Sequence, residues 1–194
     1  MKFLMLAVLL HFITFQNDTI ISKIQQKFED TKDLKSDFVQ SSNNVNIMKG
    51  KFYFFQKNNY KIELEKNEII CNGKTIWNID KSKKKVIISN IEDDPLAFSL
   101  REYIYSYPSK CKVSEEKIDA NNYLITLDAA NSDLNFKQAK LWVNEQYLIT
   151  KILVEDLSNS KLEFAFSNID ININLSKSFF QYNENKEYKI IDLR

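Results

Sequence analysis

The chain predicts a mainly β fold with helices, of the α+β class. The expected architecture is an unclosed antiparallel β-barrel: a curled sheet of about ten or eleven strands, covered by an α-helical lid. Three observations carry this. Short alternating segments recur between turn-like stretches along most of the chain, as antiparallel strands do. Helical periodicity occurs in only two places, once before the strands and once in their midst. A sheet of that many strands curls or splits rather than lying flat, and a helix inserted in mid-sheet must cover one face or one opening of it.

Taken in order, Lys2 and the apolar run Phe3 to Phe15 are too short for a spanning helix, which needs ~20 apolar residues. They read as a secretory signal peptide, residues 1–17. No Cys follows the run, which argues against a lipid anchor on the protein itself. Residues 18–194 are then expected as a single soluble domain in the periplasm. Ile20, Ile21, Ile24, Phe28 and Thr31 recur at helical spacing, with Asp18 or Thr19 as the cap. Alternation begins at Leu34 to Gln40, where Leu34, Ser36 and Phe38 share a face, and Ser41 to Asn46 reads as a turn.

The most informative stretch is Gly50 to Trp77. It contains Gly50-Lys51-Phe52-Tyr53-Phe54, then Tyr60 to Glu63, then Asn72-Gly73-Lys74-Thr75-Ile76-Trp77. Tyr60, Ile62 and Leu64 alternate with Lys61, Glu63 and Glu65, a half-buried pattern. Asn72-Gly73 is a strong hairpin signal, because a type I′ turn needs two positive φ angles. Lys85 to Ser89 is the next strand. Asp94 and Pro95 then open the second helix, whose stripe is Leu96, Leu100, Tyr103, Ile104 and Tyr107, and Pro108 stops it. Strands resume at Cys111 to Val113, Tyr123 to Leu127, Asn135 to Val143, Tyr147 to Asp156 and Leu162 to Leu175. A polar tail with Phe179, Phe180 and Tyr182 ends in a short strand at Tyr188 to Ile191.

Composition excludes several functions. With 27 basic and 26 acidic residues there is no field to steer nucleic acid. The one histidine, His11, lies in the signal segment, which removes Ser-His and Cys-His pairs and histidine metal ligands from the rest. There is no Gly-rich phosphate loop. Cys71 and Cys111 are either a disulfide or two independent buried thiols. Asp93-Asp94 and Glu115-Glu116 read as solvated faces. With 2 glycines and 2 prolines in the chain, Asn, Asp, Ser and Lys must make most turns.

In order along the chain, Leu34-Lys35-Ser36-Asp37-Phe38-Val39-Gln40, Gly50 to Glu63, Asn72-Gly73-Lys74-Thr75-Ile76-Trp77, Asp94-Pro95-Leu96, and Lys151, Val154, Asp156 with Phe166-Ser167-Asn168-Ile169 resemble the periplasmic outer-membrane lipoprotein carrier family, LolA. The resemblance implies a half-barrel that binds lipoprotein acyl chains. It implies acylated lipoproteins, an inner-membrane ABC-type lipoprotein release complex and an outer-membrane acceptor as partners, and a monomer without cofactor, catalytic residue or metal. One segment departs from the family pattern. Gln56 and Lys57, the candidate lid latch, stand where members often carry Lys/Arg-Pro, whose Arg holds the lid by hydrogen bonds. The expected acyl-chain cavity is lined by Ile24, Phe28, Phe52, Phe54, Tyr60, Ile62, Leu64 and Trp77, under a lid of Leu96, Leu100 and Ile104 that competes with acyl chains for the concave face. Apolar residues of both parities at Phe52 to Phe55 leave the assignment of the two strand faces open. The alternative is a regulatory or sensor protein of the envelope that uses the same half-barrel to bind a protein partner.

Overall fold

The computed structural model describes residues 19–56, 58–93 and 100–194. The expected signal peptide, Lys57, Asp94, Pro95 and Leu96 lie outside these residues. The first element is α1 (Ile20–Asp30), capped by Thr19, whose Oγ1 accepts from the Ser22 amide at 3.2 Å. The freed amides of Ile20 and Ile21 donate to the carboxylate of Glu115 at 2.8 and 2.9 Å. A carboxylate there satisfies orphan donors and complements the positive end of the helix dipole.

Twelve strands follow: β1 (Asp33–Ser42), β2 (Val45–Phe55), β3 (Asn59–Leu64), β4 (Asn67–Asn72), β5 (Thr75–Asp80), β6 (Lys85–Asn90), β7 (Lys112–Lys117), β8 (Tyr123–Asp128), β9 (Phe136–Val143), β10 (Ile149–Asp156), β11 (Lys161–Ile171) and β12 (Lys189–Asp192). They form one sheet in the order β12-β6-β5-β4-β3-β2-β1-β11-β10-β9-β8-β7. Every pairing is antiparallel except β12 on β6, which is parallel. The strand order has two ends, so the barrel is unclosed. Register shifts at Lys35/Asp37, Gln40/Ser41, Ile149/Lys151 and Glu155/Asp156 add local bend to the middle strands. In the strand order β7 is one margin, and β6 lies next to β12 at the other.

Asparagine does the work that glycine usually does. Asn43, Asn44, Asn159, Asn168, Asn172 and Asn174 all have positive φ, and the first two make the β1–β2 turn. That turn is tighter than the expected Ser41 to Asn46. At Asn72-Gly73 only Gly73 has positive φ. The hairpin is therefore not the expected type I′ turn. The Asn72 Oδ1 instead accepts from the amides of Lys74 and Thr75 at 3.1 and 2.9 Å, closing a longer loop. Gly50 is required for another reason: a Cβ there would sit 1.9 Å from the carbonyl oxygen of Glu63 on β3.

Among the described residues the second helix comprises Leu100 and Arg101, in helical conformation, and a π-helical turn, Glu102–Ser106, wider than the stripe predicts and closed by the Tyr107 amide donating to the Glu102 carbonyl at 2.8 Å. Over one turn, apolar spacing does not distinguish i+4 from i+5 bonding. Cys71 is buried on β4, Cys111 is half-buried just before β7, and the two form no disulfide. Among the described residues no helix is long and apolar enough to cross a membrane.

Candidate functional site

Strand parity builds the site. Leu34 pairs with Phe54, Phe52 with Ile62, Phe38 with Phe166, Phe164 with Ile152, and Leu141 with both Ile152 and Ile125. Because direct cross-strand partners share a face, these residues line one continuous apolar surface, the concave face. They belong to the larger buried cluster with Tyr60, Cys71 and Ile76. The odd positions of β2 go the other way: Tyr53 packs edge-on against Phe179 at 4.9 Å, and Phe55 stacks on Phe180 at 5.6 Å. This settles the faces of Phe52 to Phe55. The strand is two-sided because the C-terminal segment coats its outer surface.

Seven of the eight expected lining residues meet the concave core. Ile24 is 2% exposed beneath α1, Phe28 lies 5.0 Å from Phe54, and Phe52, Tyr60, Ile62 and Leu64 pack deeper in the same cluster. Trp77 does not join them. Its parity on β5 places it with Ile70, Ile79, Val86 and Ile88 on the outer face, against Tyr182 at 6.4 Å. Of the expected set, Ile24, Phe28 and Phe54 line an actual cavity of about 40 Å³ between α1 and the lid turn, whose other walls are Lys27, Thr31, Leu34, Leu100, Ile104 and Tyr147 to Ile149. Leu34 was legible from alternation. Tyr147 and Leu148 belong to the turn joining β9 and β10, not to the strand expected from Tyr147, and Ile149 opens β10; three consecutive apolar residues carry no period, and Lys27 carries no apolar signal.

That volume has room for only about three waters, at roughly 10–15 Å³ each, far from an open acyl site. The concave face is therefore filled by the protein's own side chains. Ile104 is the plug, 2% exposed. The lid turn is held to α1 by a small polar set. Gln25 Nε2 donates to the Ile104 carbonyl at 3.1 Å. The Tyr105 hydroxyl donates to Glu29 Oε1 at 2.5 Å, and Arg101 approaches Glu29 at 4.0 Å and the Tyr105 ring at 4.7 Å. Burial, then the Glu29 carboxylate, pushes the Tyr105 phenol up to about 12, and burial does the same for Tyr103. Tyr107 is raised as well, by burial and by its hydrogen bond to Glu102 at 2.9 Å. Gln56 is exposed in the β2–β3 turn, with its amide on the Lys32 carbonyl and its carbonyl on Asn59. The described contacts holding the lid come from Gln25, Glu29 and Arg101 instead.

Among the described residues no group of three or more His, Cys, Asp or Glu is placed to hold a metal ion. What the arrangement offers chemically is apolar area behind a cover that few polar contacts retain.

The family model for the outer membrane lipoprotein carrier protein LolA matches residues 29–183. An uncharacterized protein of Methanocaldococcus jannaschii is 24% identical over 173 residues, 85% of this chain and 50% of that protein, so the chain spans about half the length of this relative. Among solved structures, an uncharacterized conserved protein from Thermus thermophilus has a TM-score of 0.58 at 9% identity, covering 89% of this chain and 96% of that one. A LolA superfamily protein from Nitrosomonas europaea has a TM-score of 0.42 at 12% identity, covering 84% and 97%. At 9% identity the likeness to the Thermus thermophilus structure speaks for the fold alone.

Proposed function

The chain belongs to the LolA family of outer membrane lipoprotein carrier proteins, and from that premise we propose that it is a periplasmic carrier for acylated lipoproteins. It takes cargo from an inner-membrane ABC-type release complex, holds the acyl chains against the concave sheet face, and yields them to an outer-membrane acceptor. It works without a cofactor and is not an enzyme. The observation that carries this reading is the concave face itself: a continuous apolar surface whose cover is one helix and one π-turn rather than a second sheet.

A carrier must bind and release. Each buried CH₂ of an acyl chain contributes ~0.8 kcal/mol, so a long chain on an empty face would be held too firmly. Here the face is already occupied by Ile104 and its neighbours, and entering cargo must displace them. The net affinity is the difference between two apolar contacts, which keeps transfer reversible.

The test is mass spectrometry of lipids and lipoproteins that copurify with the protein from its native envelope. Triacylated lipoprotein in stoichiometric amount is the expected result. An empty protein that instead copurifies with an intact, unacylated protein partner would replace the carrier reading by the regulator reading.

A further inference from the structure

One charged side chain lines the cavity. It is Lys27, half-buried in the last turn of α1. The acids of that turn are engaged elsewhere: Asp30 accepts from Gln26 Nε2 at 3.0 Å, and Glu29 is taken by Tyr105 and Arg101. The Thr31 hydroxyl donates to the Lys27 carbonyl at 2.8 Å, which fixes the backbone beneath the lysine. Lys23, one turn earlier, lies over the Tyr147 ring at 5.4 Å. Among the described residues no carboxylate pairs with the Lys27 ammonium. The mouth of an apolar cavity therefore presents one cation without a counter-charge.

We infer that this cavity takes an alkyl chain that ends in an oxyanion, a carboxylate or a phosphate monoester, with the chain displacing Ile104 to lie against Ile24, Phe28 and Phe54 and the head on Lys27. The inference rests on the acyl-binding reading of this face and adds a ligand class to it, because the ester- and amide-linked chains of a lipoprotein end in no free oxyanion. A half-buried ammonium has lost part of its hydration, and an incoming oxyanion restores that with charge-assisted hydrogen bonds, about twice as strong as neutral ones. The apolar walls lower the local dielectric and strengthen the pair further. The competing account is that Lys27 only covers apolar surface with its stem and keeps its head in water. The two differ in whether head-group charge alters affinity.

The experiment is isothermal titration calorimetry of the delipidated protein at low salt with dodecyl phosphate, dodecanoate, dodecanol and inorganic phosphate. Dodecyl phosphate and dodecanoate are expected to bind about ten-fold more tightly than dodecanol, the size of one charge-assisted contact. Inorganic phosphate without a chain is expected not to bind. Lys27→Met should leave dodecanol affinity unchanged and reduce the preference to within about two-fold, while Lys23→Met keeps it. Equal binding of dodecanol and dodecyl phosphate, or a preference that survives Lys27→Met, overturns the inference and leaves the carrier reading intact. Failure of all the alkyl ligands overturns both. Binding of inorganic phosphate alone would mark a free-anion site and also overturn the inference.

Discussion

Replacing Ile104 by alanine separates a competing lid from an ordinary wall of a binding site, because the two predict opposite signs. Ile104 is 2% exposed and borders the cavity of about 40 Å³. Large-to-small changes of this kind destabilise by ~2–5 kcal/mol. The low end applies here, about 2 kcal/mol, because the lid turn packs on one helix and one rim and can settle into the adjoining space. The Gln25 bond to the Ile104 carbonyl uses backbone and survives the change. If cargo displaces the lid, this loss falls on the unloaded state only. A ten-fold change in affinity corresponds to about 1.4 kcal/mol, so acyl affinity should rise by roughly ten-fold and by no more than about thirty-fold. Urea denaturation gives the stability and calorimetry with dodecanol gives the affinity. A variant that is destabilised as expected but binds dodecanol no better, or worse, would show that Ile104 is a wall rather than a competitor.

Three further outcomes follow from the geometry. Gly50→Ala drives a Cβ into the Glu63 carbonyl at 1.9 Å, so β2 and β3 must separate, with a loss of about 1–3 kcal/mol in denaturant titration. Phe180→Ala should remove about 3–5 kcal/mol, because the ring is fully buried against Phe55, while dodecanol affinity stays within about two-fold. A large affinity change in that variant would mean that the outer cover and the cavity are coupled. Burial holds the phenols of Tyr53, Tyr103 and Tyr105 near 12 rather than 10.0, so the folded state favours their neutral forms. Their contribution is complete below pH 10.0 and is lost as pH rises toward about 12, and a denaturation midpoint that stayed flat across that window would contradict their burial.

How far the sequence could be read depended on the range of the physics. Alternation placed nearly every strand, because a period of two is local and needs no partner. It also put Leu34 with Phe38 and Tyr60 with Ile62, while the faces of Phe52 to Phe55 were decided only by the pairing of Leu34 with Phe54 and of Phe52 with Ile62. Trp77 lies on the other face: the adjacent Ile76 and Trp77 are both apolar and compete for the same side, and the deciding partner, Tyr182, is far away in the chain. The pattern Lys61, Glu63, Glu65 read as a solvated surface, yet Lys61 lies under the Phe179 ring at 4.3 Å and bridges Glu63 and Glu68 at 3.1 and 2.9 Å. The role of Glu115 was likewise invisible, since it caps a helix 94 and 95 residues earlier. Each miss is a long-range contact made by a residue whose local pattern was satisfied without it.

The sheet carries a cover on each face, and their retention differs enough to say which one opens. On the outside, β12 continues the ladder of β6 through four residue pairs, Phe180 is fully buried, and the buried Asp33 carboxylate accepts from the amides of Ile173 and Leu175 at 2.7 and 3.2 Å. Releasing that segment breaks strand pairing and exposes a carboxylate site together with a ring. At the mouth, the lid turn is retained by the buried Ile104, by Leu100, Tyr103, Tyr105 and Tyr107, which are only partly buried against the core, and by polar contacts through Gln25, Glu29 and Arg101, with the Arg101 and Glu29 side chains 44% and 62% exposed. Exposed pairs contribute ~0–1 kcal/mol each, so the mouth is the weaker cover and local opening draws on the weakest unit first. Native-state hydrogen exchange should then show the Tyr107 amide, which closes the π-turn on Glu102, exchanging through a smaller opening free energy than the amides of Lys189 and Leu193, which donate to the Lys84 and Ile88 carbonyls. Equal protection of the two sets would tie both covers into one cooperative unit, and a carrier could not admit cargo without loosening the whole sheet.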